Sequence, residues 1–150
     1  FDLRDFSPME RCDFIDYTIK KFKENLGLII IDGIADLAKG NNDEDEAKRI
    51  ETLLMQWTKW FNIHAIVIIH QNKNDNYATG HLGSSLIKKA EVVMSVEKVE
   101  SNSIRSTVKC DNIRGVAEFD DFDIEIEDSL PIISNENKIY HKIKDDELIF

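Results

Sequence analysis

The sequence predicts an α/β protein, a three-layer α/β/α sandwich with a mainly parallel sheet and antiparallel strands at its C-terminal edge. Two short, unbroken apolar runs, at 28–31 and 64–69, are typical of strands that are buried on both faces. A helical pattern lies between them, and a right-handed crossover through that helix makes the two strands parallel. After residue 103, apolar and polar residues alternate, as in antiparallel strands with one face in water.

The length and composition are those of one globular domain with its own core. The sequence has 150 residues, of which 42% are hydrophobic and 32% are charged. No apolar run approaches the roughly 20 residues of a membrane helix, and the N-terminus is not a signal peptide. The two cysteines form no metal pattern, so we expect a reduced, cytoplasmic protein with no membrane partner. Because the first residue is not Met, we also expect a piece of a longer chain.

The charge balance limits the kinds of partner. Lys and Arg total 19 and Asp and Glu total 29, which gives a net charge of −10. A domain that binds nucleic acid over its whole surface would be basic, so this composition argues against that class. A single loop with a few cations can still contact DNA, because charges act locally within a Debye length of roughly 8–10 Å.

The first helix has a clear start in the sequence. Residues 7–10, Ser-Pro-Met-Glu, form a capping box with proline at the first helical position. An apolar stripe at spacings of three and four follows and predicts a helix to about Asn25. Residues 1–5 read as a short strand. The stripe consists of Cys12, Ile15, Ile19 and Phe22.

The second helix follows an acidic run at 43–46, where negative charge favours a helix N-terminus. Its pattern extends to about residue 62. We expect Trp57 and Trp60 to pack in the core rather than to stack on nucleic acid bases. The predicted buried stripe is Ala47, Ile50, Leu54, Trp57 and Phe61, widened by Leu53 and Trp60.

The rest of the chain is predicted from weaker patterns. The second strand ends in His70-Gln71, and a polar loop follows it. Gly83 opens a short helix that extends to about Lys89. A third strand candidate and two alternating segments come next, at 91–98, 104–110 and 122–126.

The candidate site lies where the two parallel strands end. Asp32 ends the first strand, and in open α/β sheets ligands bind outside the carboxyl ends of the strands. An acid there can organise magnesium, or it can simply cap the next loop. His70 and Gln71 can donate hydrogen bonds to a terminal phosphate. Each of them can equally be an ordinary strand-end or loop residue, so the interpretation depends on the three occurring together.

Four stretches of this chain resemble the second half of a RecA-like ATPase core. The resemblance is to hexameric helicases of the DnaB and RepA types, and most closely to ATPase or primase–helicase proteins of mobilizable elements from Bacteroides-like bacteria. It covers most of the chain and implies a partial RecA-like domain over 1–135 with a tail over 136–150. The stretches are LRDFSPMER at 3–11, IIIDGIADL at 29–37, IHQNK at 69–73 and GHLGSSLIKKAE at 80–91.

The resemblance implies roles for the site residues. Asp32 matches the Walker B aspartate, a catalytic, nucleotide-binding and magnesium-binding residue. Gln71 matches the nucleotide-binding position that senses the γ-phosphate, and the adjoining His70 shares its catalytic role. Mg²⁺ and ATP are thereby implied as cofactors of the full-length protein.

The resemblance also implies partners. The loop 72–82 matches the DNA-contacting loop and carries Lys73 and His81, which implies single-stranded DNA. Lys88 and Lys89 lie near the residues that face the neighbouring subunit in ring-forming relatives, which implies a homo-oligomeric ring. Related sequences often have Arg where this chain has Thr79, so a role in trans for that position is in doubt.

One departure from the family governs the functional prediction. No Gly-x-x-x-x-Gly-Lys-Ser/Thr occurs in the sequence, so the loop that cradles phosphates has no candidate here. We therefore expect an inactive segment, with no tightly bound cofactor, of a DNA-dependent ATPase of a mobile genetic element. One alternative is a non-catalytic module for assembly or regulation. A weaker one is a metal-dependent nuclease that uses Asp32, Asp36 and the acids at 43–46.

Overall fold

The computed structural model describes residues 1–40, 42–70, 80–99 and 104–134. The chain forms two compact units, Phe1–Ala90 and Glu91–Phe150, which are described separately below. The elements of the first unit are α1 (Pro8–Phe22), β1 (Leu28–Asp32), a 3₁₀ helix (Ile34–Leu37), α2 (Glu44–Phe61), β2 (His64–Ile68) and α3 (Gly80–Lys89). The elements of the second unit are β3 (Val92–Lys98), β4 (Arg105–Ile113), β5 (Phe122–Glu127) and β6 (Leu130–Ile133).

The first unit is built on a parallel pair of strands, as the crossover argument predicts. β1 and β2 pair in parallel from Leu28 opposite His64 to Asp32 opposite Ile68. The chain returns between them through α2, so the connection is the βαβ unit that parallel strands require. Both strands consequently end at the same edge of the pair.

Capping at α1 is as the sequence predicts. The backbone N–H of Glu10 donates to Ser7 Oγ at 3.4 Å, and the backbone N–H of Ser7 donates to the Glu10 carboxylate at 2.8 Å. The helix ends at Phe22, and a turn occupies 23–25, so the prediction ran about one turn too long. The short strand predicted at 1–5 is wrong, because this segment forms a turn in which Phe6 N–H donates to Leu3 O.

The acidic start of α2 is also as predicted. Asp43 is the N-cap, and its carboxylate accepts from the backbone N–H groups of Asp45 and Glu46. Trp57 is 1% exposed and lies in the core, but Trp60 is 65% exposed, so the prediction of a core position for Trp60 is wrong. Three residues along a helix leave a side chain about 60° from the first one, and this rotation turns Trp60 off the covered face.

The core of the first unit covers only one face of the parallel pair. Ile29, Ile31 and Val67 pack with the buried side chains of the three helices. On the opposite face Ile30 and Ile66 are 62% and 46% exposed, with Leu28 and Ile68 beside them. The expectation that β1 and β2 are buried on both faces is therefore wrong for this unit. The apolar run shows which residues form the strand but not how many layers cover it.

The second unit is a four-stranded antiparallel sheet in the order β3-β4-β5-β6. The α/β class and the antiparallel strands after residue 103 are confirmed. Among the described residues, antiparallel pairs outnumber the single parallel pair, although the sequence suggested a mainly parallel sheet. Short connections explain this, because hairpins join only antiparallel neighbours. The last hairpin turns at Asp128 and Ser129, with φ values of 49° and 67°, as a two-residue turn requires.

Among the residues that the structure describes, no helix combines the length and the apolar composition that a membrane crossing would need.

Candidate functional site

The candidate site lies at the shared edge where β1 and β2 end. Asp32 is the last residue of β1 and is paired in register with Ile68, the last residue of β2. His70 lies two residues beyond that partner, and the side chains of Asp32 and His70 are both exposed. The backbone therefore brings Asp32 and His70 to the same edge of the parallel pair, and the predicted site with Gln71 stays a prediction.

Several other predicted site residues lie outside the described part of the chain. These are Gln71 and Lys73, with most of the predicted DNA-contacting loop 72–82. The end of that loop is described, and here the structure differs from the prediction. Residues 80–82 belong to α3, so this helix begins at Gly80 rather than at Gly83. His81 accordingly lies in the first helical turn, where its side chain is exposed.

The start of α3 was misplaced because Gly83 resembles a helix-opening residue. In the fold Gly83 is buried within the helix between Leu82 and Leu86, which also face the core. A glycine inside a helix is unfavourable in isolation, and tertiary packing overrides that preference here. Lys88 and Lys89 lie in the last turn, and the ammonium of Lys89 pairs with Glu51 of α2 at 3.5 Å.

The 3₁₀ helix directly after Asp32 is the most firmly held part of the site. It begins after Gly33, and its apolar residues Ile34 and Leu37 are 0% and 3% exposed. Arg11 of α1 donates to the carbonyl oxygen of Asp36 at 2.8 Å. Arg49 of α2 donates to the carbonyl oxygen of Leu37 at 2.7 Å. The turn thus buries its apolar side chains and accepts hydrogen bonds from two guanidinium groups.

Glu46 completes this arrangement. Its carboxylate accepts from the Arg49 guanidinium at 2.9 and 3.1 Å and from the backbone N–H of Lys39 at 3.0 Å. These hydrogen bonds, first from Arg49 and then from Lys39, lower the pKa of Glu46 to about 2. In turn, the hydrogen bonds to Glu46 raise the pKa of Arg49 above its ordinary value.

The sequence analysis did not single out Arg11, Arg49 or Glu46. Glu46 and Arg49 are three residues apart on a helix, and that spacing is a sequence signal for an ion pair. Arg11 lies 25 residues from the carbonyl that it binds, and no local pattern indicates such a contact.

A groove of about 760 Å³ runs along β1 within the first unit. Its lining comes from the N-terminal residues, α1, β1 and the turn after β1. Asp32, Arg11 and Asp36 are among its lining residues. Phe14 of α1 contacts the ring of Phe1 edge-on, at 5.1 Å between centroids.

Comparison with known proteins identifies the fold. The sequence matches no protein-family model and no curated protein. Among solved structures, the KaiC-like protein PH0186 from the hyperthermophilic archaeon Pyrococcus horikoshii OT3 is similar, with a TM-score of 0.59 and 16% identity. The match covers 86% of this chain and 57% of that chain. The fold is RecA-like.

The RecA-like chain spans little more than half the length of this neighbour. The identity of 16% shows the fold alone, so the chemistry of the site must be argued from its own residues. In the RecA-like unit, no hydrogen bond or ion pair joins the Asp32 carboxylate to any of the described residues.

The donor set fits a magnesium ion only in part. Magnesium in nucleotide sites is usually held by one or two carboxylates together with the phosphates and several water molecules. Asp32 supplies one exposed carboxylate, and Asp36, whose side chain is 68% exposed, lies one turn further along the chain. Among the described residues, no group of three or more His, Cys, Asp or Glu side chains could hold a metal ion. Within the part of the chain that the structure describes, this edge thus offers the exposed carboxylates of Asp32 and Asp36 as possible metal ligands.

Proposed function

We propose that this chain is the C-terminal part of a RecA-like, DNA-dependent ATPase of the helicase type, carried by a mobile genetic element. The observation that supports this most is the placement of Asp32. An acid at the carboxyl end of a parallel strand, beside a second strand that ends near His70, is where a RecA-like fold would bind magnesium and phosphate. The stretches that resemble hexameric helicases include both of these residues.

Each residue in this proposal has a defined role. Asp32 would hold the magnesium ion through its water ligands, and that ion would neutralise charge on the transferred phosphate. His70 and Gln71 would donate hydrogen bonds to the γ-phosphate, and the segment after them would carry the change toward DNA. Because the sequence contains no Gly-x-x-x-x-Gly-Lys-Ser/Thr, the phosphate cradle would come from elsewhere in the protein.

The partners follow from the same proposal. Lys73 and His81 would contact single-stranded DNA, and Lys88 and Lys89 would face the next subunit of a homo-oligomeric ring. In α3, Lys89 pairs with Glu51 of the same chain, so its contribution across a subunit interface would require this pair to open or to be shared.

The test is magnesium-dependent ATP hydrolysis by the full-length protein. Asp32→Asn should abolish turnover, because the amide keeps the shape of the side chain but loses its negative charge. Asp13→Asn is the matched control, since it removes an exposed carboxylate of α1 outside the groove lining and should leave most of the activity. The 150-residue chain alone should show no turnover. A full-length protein with the same ATPase activity after Asp32→Asn would refute the proposal.

A second function remains a candidate because of one observation, the missing phosphate loop. The chain could be a non-catalytic RecA-like module that serves assembly or regulation in a replication or mobilization complex. The open reading frame separates the two proposals. An initiator Met directly before Phe1, with no phosphate loop in the protein, would favour the non-catalytic module.

A further inference from the structure

The 3₁₀ helix that follows Asp32 has two C-terminal carbonyls that its own backbone does not satisfy. Within the turn, Asp36 N–H donates to Gly33 O, and Ala38 N–H donates to Ala35 O. The backbone N–H groups of the turn do not reach the carbonyl oxygens of Asp36 and Leu37. The last carbonyls of a helix usually accept hydrogen bonds from other partners instead. The partners here are guanidinium groups from two different helices, Arg11 of α1 and Arg49 of α2.

The other N–H groups of the Arg11 guanidinium also donate to backbone carbonyls. Its guanidinium donates to Leu3 O at 2.9 Å and to Arg4 O at 3.0 Å, in addition to Asp36 O. The side chain is 16% exposed, and the nearest carboxylate, that of Asp36, is 3.9 Å away. The planar guanidinium of arginine can donate to three carbonyls in fixed directions, and the ammonium of lysine cannot.

Arg49 is held in place from its other side. Glu46 binds the guanidinium and also accepts from Lys39 N–H, two residues after the carbonyl that Arg49 binds. Arg49 also donates to the buried Cys12 Sγ at 3.5 Å. Arg49 and Glu46 therefore hold the backbone on both sides of Ala38, at Leu37 and at Lys39, where the chain leaves the 3₁₀ helix.

We infer that Arg11 and Arg49 are positioning residues for Asp32. By binding the two terminal carbonyls of the 3₁₀ helix, they fix the turn into which β1 runs and so hold the Asp32 carboxylate at the edge of the sheet. Neither side chain needs to touch magnesium or nucleotide for this effect. The inference rests on the proposed function, because it assumes that the position of Asp32 matters for magnesium.

The first experiment measures the turn itself in the full-length protein, by hydrogen–deuterium exchange. Arg11→Lys and Arg49→Lys should each speed exchange of the Asp36 and Ala38 amides by about tenfold, because each removes a charged donor that closes the turn. Exchange in β1 and β2 should stay as in the parent protein. Arg4→Lys is the control, since its guanidinium is 85% exposed and bonded to Asp2.

The second experiment measures the magnesium concentration for half-maximal ATP turnover. Both lysine variants should raise this magnesium concentration by about tenfold, because loss of the residues that orient a metal ligand commonly weakens metal binding by that much. The KM for ATP should change little. A purely structural role would lower the melting temperature and speed exchange throughout the unit, while the magnesium dependence stayed unchanged. That result would overturn the inference.

The outcomes also separate this inference from the proposed function. If Asp32→Asn leaves ATP turnover intact, the proposed function fails, and the exchange measurement still decides whether the two arginines hold the turn. If Asp32→Asn abolishes turnover while both lysine variants keep the parent magnesium dependence, only the positioning role fails. Should Arg11→Lys not fold, Arg49→Lys and Glu46→Gln test the same turn from α2.

Discussion

Among the described carboxylates of the first unit, Glu46 has the surroundings that favour the charged form most clearly. Its side chain is 12% exposed and accepts hydrogen bonds from Arg49 and from the backbone of Lys39. Charge-assisted hydrogen bonds of this geometry are stronger than neutral ones. Glu46 therefore stabilises the first turn of α2 and, through Arg49, the segment after Asp32.

The pH dependence of stability follows from the pKa of Glu46, which is lowered to about 2 from an ordinary value of 4.5. A lowered pKa means that the stabilisation is fully present above pH 4.5 and is lost as the pH falls toward 2. We expect Glu46→Gln to lower the free energy of unfolding at pH 7 by about 1–3 kcal/mol. Urea unfolding at pH 7 and pH 3 measures both effects.

In the Glu46→Gln variant the loss of stability between pH 7 and pH 3 should be smaller than in the parent protein. Glu44→Gln is the matched control, because Glu44 is exposed in the same helical turn and shares its position near the helix N-terminus. If the two variants have the same pH profile, the ion pair with Arg49 does not stabilise the fold.

At the scale of elements, β1 shows what one layer of helices does to a strand. Its side chains alternate between a face packed on the helices and a face in water, although residues 28–31 are all apolar. Ile31 is 9% exposed, and its neighbour Ile30 is 62% exposed. Two identical residues in one strand thus differ in burial alone.

This difference predicts unequal effects of the same substitution. Ile31→Ala should lower the free energy of unfolding by about 2–4 kcal/mol, because it removes buried methyl groups and leaves a cavity. Ile30→Ala should cost less than about 1 kcal/mol, since an exposed side chain loses little on truncation. Denaturant unfolding of the 150-residue chain measures both. Equal losses would mean that a second layer covers the other face of β1.

At the scale of the whole molecule, the sequence predicted features set by neighbouring residues better than features set by long-range packing. The capping box at Ser7 and the acidic cap at Asp43 are short patterns that their own backbones satisfy, so both helix starts were predicted. Asp32 was predicted to end a strand because a charge follows an apolar run. These features depend on residues within a few positions of each other.

The errors in prediction arise where residues far apart in the sequence determine burial and contacts. Trp60 and Gly83 were misplaced because helix packing, rather than local preference, sets which side is covered. The hairpin at Asp128 and Ser129 lacks the Asn-Gly pair that usually marks such a turn. Arg11 was missed because its acceptors belong to the N-terminal segment and to the turn after β1.

The net charge of the molecule limits how strongly it can bind DNA. The chain carries −10, and the candidate contacts Lys73, His81, Lys88 and Lys89 are few, with Lys89 already paired to Glu51. Each phosphate contact to a single strand contributes about −0.7 to the slope of log K against log salt, so two or three contacts give about −2. We expect weak binding of single-stranded DNA by this chain.

Fluorescence anisotropy with a labelled oligonucleotide, between low and physiological salt, measures this slope. Lys73→Gln should weaken binding and bring the slope closer to zero by about 0.7, because one phosphate contact is lost. Lys59→Gln, which removes an exposed lysine of α2, should change neither the affinity nor the slope, apart from its small effect on net charge. Tight binding that persists at high salt would show that contacts other than these cations, such as base stacking on exposed aromatic rings, hold the DNA. In that case the repulsion from the acidic surface is overcome by non-ionic contacts, and Trp60, exposed on α2, becomes the first residue to replace.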